Sequence, residues 1–230
     1  MKRVCIIPAR GGSKRIPKKN SKDFLGKPII TYSIQTALDS NLFDEVMVST
    51  DDKEIANIAL NHGAKVPFMR SEKNSNDFAT TFEVIEEVIG DYEKLGMSFD
   101  EGCCFYATSP LTTVEKLKEA NKLLNAKKFA TVFPVIRYGT AIQKALIMDK
   151  NQRMTLLQPE HELTRSQDME TAYHDAGQFY FFKTNELFQH RKLWTTNSGI
   201  IEISESEGQD IDNEIDWQLA ELKYQLKFIK

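Results

Sequence analysis

The stretch Val4-Cys5-Ile6-Ile7-Pro8-Ala9-Arg10-Gly11-Gly12-Ser13-Lys14-Arg15-Ile16-Pro17-Lys18-Lys19-Asn20 begins with a short apolar run and ends in a basic loop. Such a run is typical of a strand buried on both faces of a parallel sheet. The loop combines a glycine pair with five cationic side chains. Glycines let backbone amides approach a ligand, and Arg and Lys match phosphate oxygens in charge. We therefore expect a polyphosphate site at the carboxyl end of the first strand.

The basic loop has a second interpretation, an exposed turn with solvated charges. Its position directly after a buried strand favours the phosphate site. The glycine spacing matches neither G-x-x-x-x-G-K-[ST] nor G-x-G-x-x-G. P-loop and dinucleotide-binding proteins are therefore not indicated.

Length and composition narrow the class of protein. The 230 residues favour one domain, 1–230, and 41% hydrophobic with 27% charged residues is ordinary for a globular protein. Cys5, Cys103 and Cys104 fall in predicted strands without C-x-x-C spacing, which indicates neither disulfides nor zinc. Apolar runs are too short for a membrane span or a signal peptide, so we expect a cytoplasmic protein without a membrane partner. The net charge of −3 argues against a nucleic-acid partner.

Apolar runs and helical periodicities alternate through the first 135 residues. Strands are predicted at 4–9, 45–50, 65–68, 102–107 and 130–135, with helices between them. This alternation predicts an α/β fold with a Rossmann-like, mostly parallel sheet and helices on both faces. Pro28 is predicted to be the first residue of the first helix. Thr112 and Glu115 have the spacing of a capping box.

The alternation stops at 137–173, where polar residues interrupt every pattern. The segments 143–146 and 154–157 flank a turn at 149–151, which predicts a β-hairpin that protrudes from the sheet. Strands at 178–182 and 199–203 follow the hairpin. The last helix is predicted to be amphipathic, with its apolar positions at Ile215, Leu219, Leu222 and Leu226.

Polar residues that follow predicted strands should meet at one edge, because ligands bind at the carboxyl ends of parallel strands. They are residues 10–14, 49–52, 70 and 108–110. Asp210 and Asp212 would project to one face of an extended segment, where Mg²⁺ and triphosphate oxygens could complete an octahedral site. The alternative is a turn that precedes the last helix, with Asp212 or Asn213 as its N-cap.

Side chains for covalent catalysis are not indicated, because the histidines lack triad or metal spacing. His62 and His190 are predicted to lie at the surface. His174 lies in the dense polar and aromatic segment 173–178 and is a candidate ligand contact. Asp51 and Asp52 precede a predicted helix, where carboxylates favour the helix dipole.

Several of these segments, in order along the chain, resemble one family. The segment 6–14, followed by Lys19 and Asn20, is similar to the signature of cytidylyltransferases that activate acidic nine-carbon sugars, the CMP-sialic acid synthetase-like family. Further matches cover 25–28, 48–52, 77–81, 108–111 and 209–212, together with Arg70. The resemblance implies the nucleotide-diphospho-sugar transferase type of fold. In relatives the part that matches 137–173 packs on a second subunit and closes its sugar pocket, so a homodimer is implied.

The second half of the chain narrows the choice of sugar substrate. Sialic acid synthetases carry Gln-Pro-Thr-Ser-Pro where this chain has Tyr106 to Pro110, and Asn-Gly-Ala where it has the segment 174–180. With 142–146, 158–160 and 163–168, this half is similar to members that make CMP-pseudaminic acid for bacterial surface glycans such as flagellin, capsule or LPS. N-acetylneuraminic acid or another nonulosonic acid is the alternative sugar. A non-catalytic nucleotide sensor is the alternative of another class.

The resemblance assigns roles to individual residues. The CTP phosphates would contact Arg10, Gly11, Gly12, Ser13, Lys14 and Lys19. The cytosine and ribose would contact Asn20, Arg70, Ala79 and Thr81. The acidic nine-carbon sugar would contact Tyr106, Arg165, His174, Gln178 and Tyr180, with Arg165 at its carboxylate. Mg²⁺ would bind Asp210 and Asp212, which together with Lys14 would be catalytic.

The implied reaction is an in-line attack of the sugar's anomeric hydroxyl on the α-phosphorus of CTP, which releases pyrophosphate. Transfer of this kind depends on positioning and charge neutralisation, and it needs no covalent intermediate. His174 and a metal-bound Asp212 are the two candidates for accepting the hydroxyl proton.

Overall fold

The computed structural model describes residues 1–229. The strands are β1 (Arg3–Pro8), β2 (Asp23–Phe24), β3 (Lys27–Pro28), β4 (Glu45–Ser49), β5 (Glu101–Phe105), β6 (Thr131–Arg137), β7 (Leu146–Met148), β8 (Met154–Leu156), β9 (Tyr173–Asp175), β10 (Phe179–Lys183) and β11 (Ser198–Ile203). The helices are α1 (Ile30–Ser40), α2 (Lys53–Asn61), α3 (Thr81–Lys94), α4 (Val114–Lys127), α5 (Thr184–His190) and α6 (Glu214–Phe228).

The main sheet has the strand order β11-β6-β10-β5-β1-β4, and β9 also pairs with β6. β1 runs parallel to β4 and to β5, and β11 runs parallel to β6. β10 lies antiparallel between β5 and β6, so those two strands share one direction. The predicted α/β fold with a mostly parallel sheet is confirmed, and the carboxyl ends of β1, β4 and β5 lie along one edge.

The antiparallel strand β10 carries residues to this same edge. β9 and β10 both pair with β6, but the register changes between them, from Val135 opposite Asp175 to Val132 opposite Phe181. The intervening bulge includes Gly177, whose φ of +62° lies in the left-handed region that glycine adopts readily. Because β10 is antiparallel, its first residue, Phe179, lies opposite Phe105 at the carboxyl end of β5. The preceding strand β9 pairs with the carboxyl half of β6.

Helices cover both faces of the sheet. Cys5 and Ile7 of β1 pack in a core with residues of α1, α2 and α4, whereas Val4 and Ile6 pack in a second core with α3 and α5. This alternation follows from the twofold side-chain period of a strand. Cys103 and Cys104, also neighbours on a strand, divide between the same two cores and are free thiols, as is Cys5.

Two local predictions, at Pro28 and at residues 65–68, are wrong. Pro28 does not begin a helix; it pairs with Asp23 in the β2–β3 hairpin, and α1 begins at Ile30. Residues 65–68 do not form a strand; Lys65 makes a single bridge to Met47. Pro67 follows two residues later and has no N–H to continue a ladder.

Two further local features differ from the predictions. The cap of α4 is Thr113 rather than Thr112, and its hydroxyl accepts from the Lys116 amide at 3.4 Å. The helix α5 follows β10 directly, and the sequence pattern did not predict it.

The protruding segment 137–173 contains the predicted hairpin. β7 and β8 pair antiparallel, and the Asp149 carboxylate fixes their turn by accepting from the Asn151 and Arg153 amides, each at 2.8 Å. The first strand of the hairpin begins at Leu146, later than predicted. This segment exposes apolar side chains at Leu146, Ile147, Met148, Met154, Leu157 and Leu163.

The last helix forms where the sequence predicts it, but its buried face is different. The predicted apolar positions Ile215, Leu219, Leu222 and Leu226 are exposed. Trp217, Ala220 and Tyr224 instead pack on the segment that follows β1, including Ile16, Phe24 and Ile29. The helix therefore packs against the segment that contains the first loop. Within the part of the chain that the structure describes, the helices are too short or too polar to cross a membrane.

Candidate active site

A cavity of about 300 Å³ opens at the carboxyl ends of β1 and β5. It collects side chains from five separate parts of the chain. The residues predicted to form the site that line it are Arg10, Ser13, Lys14, Lys19, Asn20, Arg70, Ala79, Thr81, Tyr106 and Asp210. Basic and acidic groups thus lie in one cavity, as the strand order requires.

The glycine pair of the first loop has two different environments. The Gly11 amide donates to Asp51 Oδ1 at 2.9 Å, so this N–H already has a partner. A Cβ at Gly11 would lie 2.7 Å from Asp52 Oδ2, whereas a Cβ at Gly12 would have no described atom within 4 Å. Asp52 is fixed because it caps α2, accepting from the Glu54 amide at 2.7 Å. Gly11 is therefore needed for close contact between the loop and α2.

The cations of the first loop are held by internal partners. Arg10 Nη1 lies 2.7 Å from Asp77 Oδ1, and Lys14 forms an ion pair with the same carboxylate. Lys19 Nζ donates to the Ile211 carbonyl at 2.6 Å. Burial lowers the pKa of Lys19, and the negative charges of Asp212 and Asp210 oppose that change. These contacts hold the three cations at the cavity before any ligand binds.

Buried polar groups form another part of the cavity wall. Arg70 is 8% exposed; its Nε donates to Ser49 Oγ at 2.9 Å and its Nη2 to the Ser49 carbonyl. Burial lowers the pKa of Arg70. Asn20 Nδ2 donates to the Arg10 carbonyl at 2.9 Å. Thr81 Oγ1 lies 3.1 Å from the Tyr106 hydroxyl, which links the start of α3 to the end of β5.

Asp210 and Asp212 lie on either side of Ile211, which is buried. In an extended segment the side chains on either side of a buried residue share the opposite face. Although Asp210 is open to solvent on one side, partial burial of its carboxyl group and repulsion from Asp212 raise its pKa. Arg15 Nη1 lies 2.7 Å from Asp212 Oδ2. Asn213 caps α6, accepting from the Ile215 amide at 2.9 Å, so the capping role falls to Asn213. Asp210 lines the cavity, whereas Asp212 does not.

Asp210 and Asp212 are the candidate donors for a divalent cation. Among residues 1–229 the structure holds no group of three or more His, Cys, Asp or Glu side chains arranged to bind a metal ion. Asp210 and Asp212 offer oxygen donors, which hard cations such as Mg²⁺ prefer. A bound cation would draw its remaining ligands from phosphate oxygens and water.

The residues predicted to bind the sugar are divided between several places. His174 lines a second cavity of about 490 Å³ that shares Asp210 with the first. Gln178 is 2% exposed, and its Nε2 donates to the Glu207 carbonyl at 2.6 Å, so this amide tethers the 205–209 loop. Tyr180 is buried, and its hydroxyl donates to Asp175. Arg165 lies outside both cavities, exposed on the protruding segment.

Several residues of the site were missed from the sequence. Asp77 lies within the motif 77–81, but its sequence context does not indicate that it pairs with Arg10 and Lys14. Asp175 lies in the segment 173–178, which was noted only for His174. Arg15 was counted as one more loop cation, without its contact to Asp212.

Fold and cavity together define an α/β protein with a mainly basic cavity at the carboxyl ends of its parallel strands, with one carboxylate, Asp210, at its wall. The model of the cytidylyltransferase family matches residues 4–223, and the chain belongs to this family of nucleotidyltransferase enzymes.

Individual relatives agree with this assignment. A pseudaminic acid cytidylyltransferase of Campylobacter jejuni is 40% identical over 228 residues, which cover 98% of this chain and 97% of that one. A CMP-N,N'-diacetyllegionaminic acid synthase of Legionella pneumophila is 29% identical and covers 96% of this chain and 95% of its own. A solved structure of CMP:2-keto-3-deoxy-manno-octonic acid synthetase with CTP superposes with a TM-score of 0.74 at 17% identity, over 99% of this chain and 100% of that one, and shares the fold.

Proposed function

We propose that this enzyme transfers CMP from CTP to the anomeric hydroxyl of pseudaminic acid, with release of pyrophosphate. The product would supply activated sugar for bacterial surface glycans. The observation that carries the proposal is a mainly basic cavity, with Asp210 at its wall, in a chain 40% identical, over nearly its full length, to the Campylobacter jejuni enzyme.

The basic half of the cavity suits the triphosphate. Arg10 and Lys14 are directed to one point at the cavity wall, where both contact Asp77. Charged donors placed before binding stabilise developing charge on a transferred phosphoryl group without reorganisation. Ser13 and Lys19 line the same cavity and would add contacts to phosphate oxygens. Asn20, Arg70, Ala79 and Thr81 remain for the cytosine and ribose.

Asp210 and Asp212 fit a Mg²⁺ ion because both supply carboxylate oxygens on one side of an extended segment. When bound, the ion would neutralise phosphate charge and favour ionisation of the sugar hydroxyl. Lys19 donates to the carbonyl of Ile211, the residue between the two aspartates, and would hold this segment in place.

The second cavity is the proposed sugar site, because it adjoins the first at Asp210. His174 Nδ1 lies 3.0 Å from the Asp175 carbonyl oxygen. A carbonyl can only accept, so the neutral ring carries its proton on Nδ1 and leaves Nε2 as the acceptor nitrogen. His174 is therefore our candidate for the group that accepts the hydroxyl proton.

We further propose a homodimer in which the segment 137–173 packs on a second copy. Its hairpin exposes Leu146, Ile147, Met148 and Met154, an apolar surface of the kind that interfaces cover. Arg165 is exposed on the same segment. In a twofold dimer each copy could direct this cation toward its partner's sugar site, where the sugar carboxylate would bind.

The test is to incubate the purified enzyme with CTP, Mg²⁺ and either pseudaminic acid or N-acetylneuraminic acid, and to measure pyrophosphate and product mass. We expect CMP-pseudaminic acid. Turnover with N-acetylneuraminic acid alone would favour the alternative sugar. Binding of CTP with no turnover of any nonulosonic acid would indicate a nucleotide sensor. Asp210→Asn should abolish turnover and leave the thermal unfolding temperature nearly unchanged.

A further inference from the structure

One carboxylate lies among the phosphate-binding cations. Asp77 Oδ1 lies 2.7 Å from Arg10 Nη1, and the Lys14 ammonium contacts the same carboxylate. Hydrogen bonds from Lys14 and Arg10 lower the pKa of Asp77, so it is ionised at neutral pH. The Lys14 side chain is 78% exposed and could extend into water, yet it turns to this group.

The loop that carries Asp77 is built to present it. The Asn76 side-chain oxygen accepts from the Phe78 amide at 2.7 Å and from the Ala79 amide at 3.1 Å, which fixes the backbone around Asp77. Ala79 itself lines the nucleotide cavity. Asp77 is therefore held at a defined position beside the site.

The other end of this loop is tied to α3. Ser71 donates to Glu87 from its amide at 2.7 Å and from its hydroxyl at 2.6 Å, and Asn74 donates to the same carboxylate. Thr80 caps α3 through a capping box with Glu83. Both ends of the loop are anchored, so the ion pairs of Asp77 differ from those that mobile side chains form at a protein surface.

We propose that Asp77 is an internal counter-ion that holds Arg10 and Lys14 in place in the free enzyme and is replaced by phosphate oxygens when a triphosphate binds. Its carboxylate forms ion pairs with the two cations again as pyrophosphate leaves. This inference rests on the proposed function, because it needs a polyphosphate ligand at these two cations. Asp77 is a positioning residue that competes with the ligand.

The competition sets the sign of the expected effect. A polyanion must break the contacts of Asp77 and then bind beside a like charge, and both steps weaken binding. Removing the charge of Asp77 should therefore tighten binding of CTP and of pyrophosphate. Partly exposed ion pairs are worth little individually, so the loss of two should give about fivefold tighter binding. A merely structural role for Asp77 predicts the opposite, weaker binding.

The experiment is calorimetric titration of the full-length enzyme with CTP and, separately, with pyrophosphate. Asp77→Asn and Asp77→Ser should each lower both dissociation constants about fivefold. Asp77→Glu keeps the charge and should stay close to the wild-type value. The matched control is Asp39→Asn, which removes an exposed carboxylate in the last turn of α1, at the opposite edge of the sheet. It should leave both constants unchanged.

Salt gives an independent readout. In the wild type, added salt weakens the internal ion pairs as well as the ligand contacts, and the two effects partly cancel. In Asp77→Asn the cations face solvent, so the dissociation constant for pyrophosphate should rise more steeply with salt. Equal or weaker pyrophosphate binding by both neutral variants overturns the inference. If wild-type enzyme binds pyrophosphate but not CTP, the proposed function fails while the role of Asp77 is still tested. If it binds neither ligand, both are overturned.

Discussion

Gly11→Ala is the substitution that best tests the geometry of the first loop. The added methyl carbon would lie 2.7 Å from Asp52 Oδ2 and 2.9 Å from Asp52 Cβ. Asp52 cannot move away freely, because its carboxylate accepts from the Glu54 amide at 2.7 Å and from the Ile55 amide at 3.2 Å. Either the cap of α2 breaks or the loop moves, and loop movement shifts Arg10.

The magnitude follows from these two outcomes. Loss of a helix cap decreases the free energy of unfolding by about 1 kcal/mol, and overpacking adds a further ~1 kcal/mol. We expect Gly11→Ala to be about 2 kcal/mol less stable, which corresponds to a thermal unfolding temperature lowered by about 4–8 °C for a chain of this size. The Michaelis constant for CTP should rise as well, because Arg10 follows the loop.

The assay is urea unfolding of three variants beside the wild type. Gly12→Ala is the matched control: no described atom lies within 4 Å of its added Cβ, so its stability should be unchanged or slightly higher. Asp52→Gly in the Gly11→Ala background removes the collision and should recover most of the lost stability, since glycine is a tolerable N-cap. Equal stability of Gly11→Ala and Gly12→Ala, or no recovery with Asp52→Gly, would refute this reasoning.

Three further predictions follow from the site and the protruding segment. His174→Gln should lower kcat about 100-fold with the CTP dissociation constant unchanged, measured by pyrophosphate release and calorimetry. Hydrogen bonding from Lys227 lowers the pKa of Glu207 from 4.5 to about 2, so this carboxylate stabilises the fold above pH 4.5 and loses that effect as the pH falls toward 2. Glu207→Gln should therefore be less stable at pH 7 and lose less stability than the wild type across that interval, measured by urea unfolding. Met148→Glu should produce monomers in sedimentation velocity, while Lys150→Glu, in the turn of the same hairpin, should not.

The parts of the fold that the sequence predicted are those that local patterns determine. The apolar run before Arg10 forms a buried strand because its side chains fill both cores, and the basic loop follows because the strand ends there. Ile211, between the two aspartates, is buried, as the alternation of polar and apolar residues indicates. In each case the prediction rests on a two-residue period or on a run of one residue type.

The parts that were missed depend on contacts between distant residues. The antiparallel direction of β10 is set by its pairing with β5 and β6, which its own composition does not reveal. The face of α6 that is buried is chosen by Trp217 packing on Phe24, although leucines form the more regular pattern. Asp77 meets Arg10 across more than sixty residues of sequence. Gln178, predicted as a sugar contact, also donates to the distant Glu207 carbonyl, which its own segment does not reveal.

The most direct measurement is an internal competition between sugars. Equal concentrations of pseudaminic acid and N-acetylneuraminic acid are incubated with the enzyme, limiting CTP and Mg²⁺, and the two CMP-sugars are quantified by mass spectrometry at low conversion. Their ratio is the ratio of kcat/KM values, which expresses specificity independently of enzyme concentration. The account predicts CMP-pseudaminic acid in at least about 100-fold excess. A predominance of CMP-N-acetylneuraminic acid would contradict it.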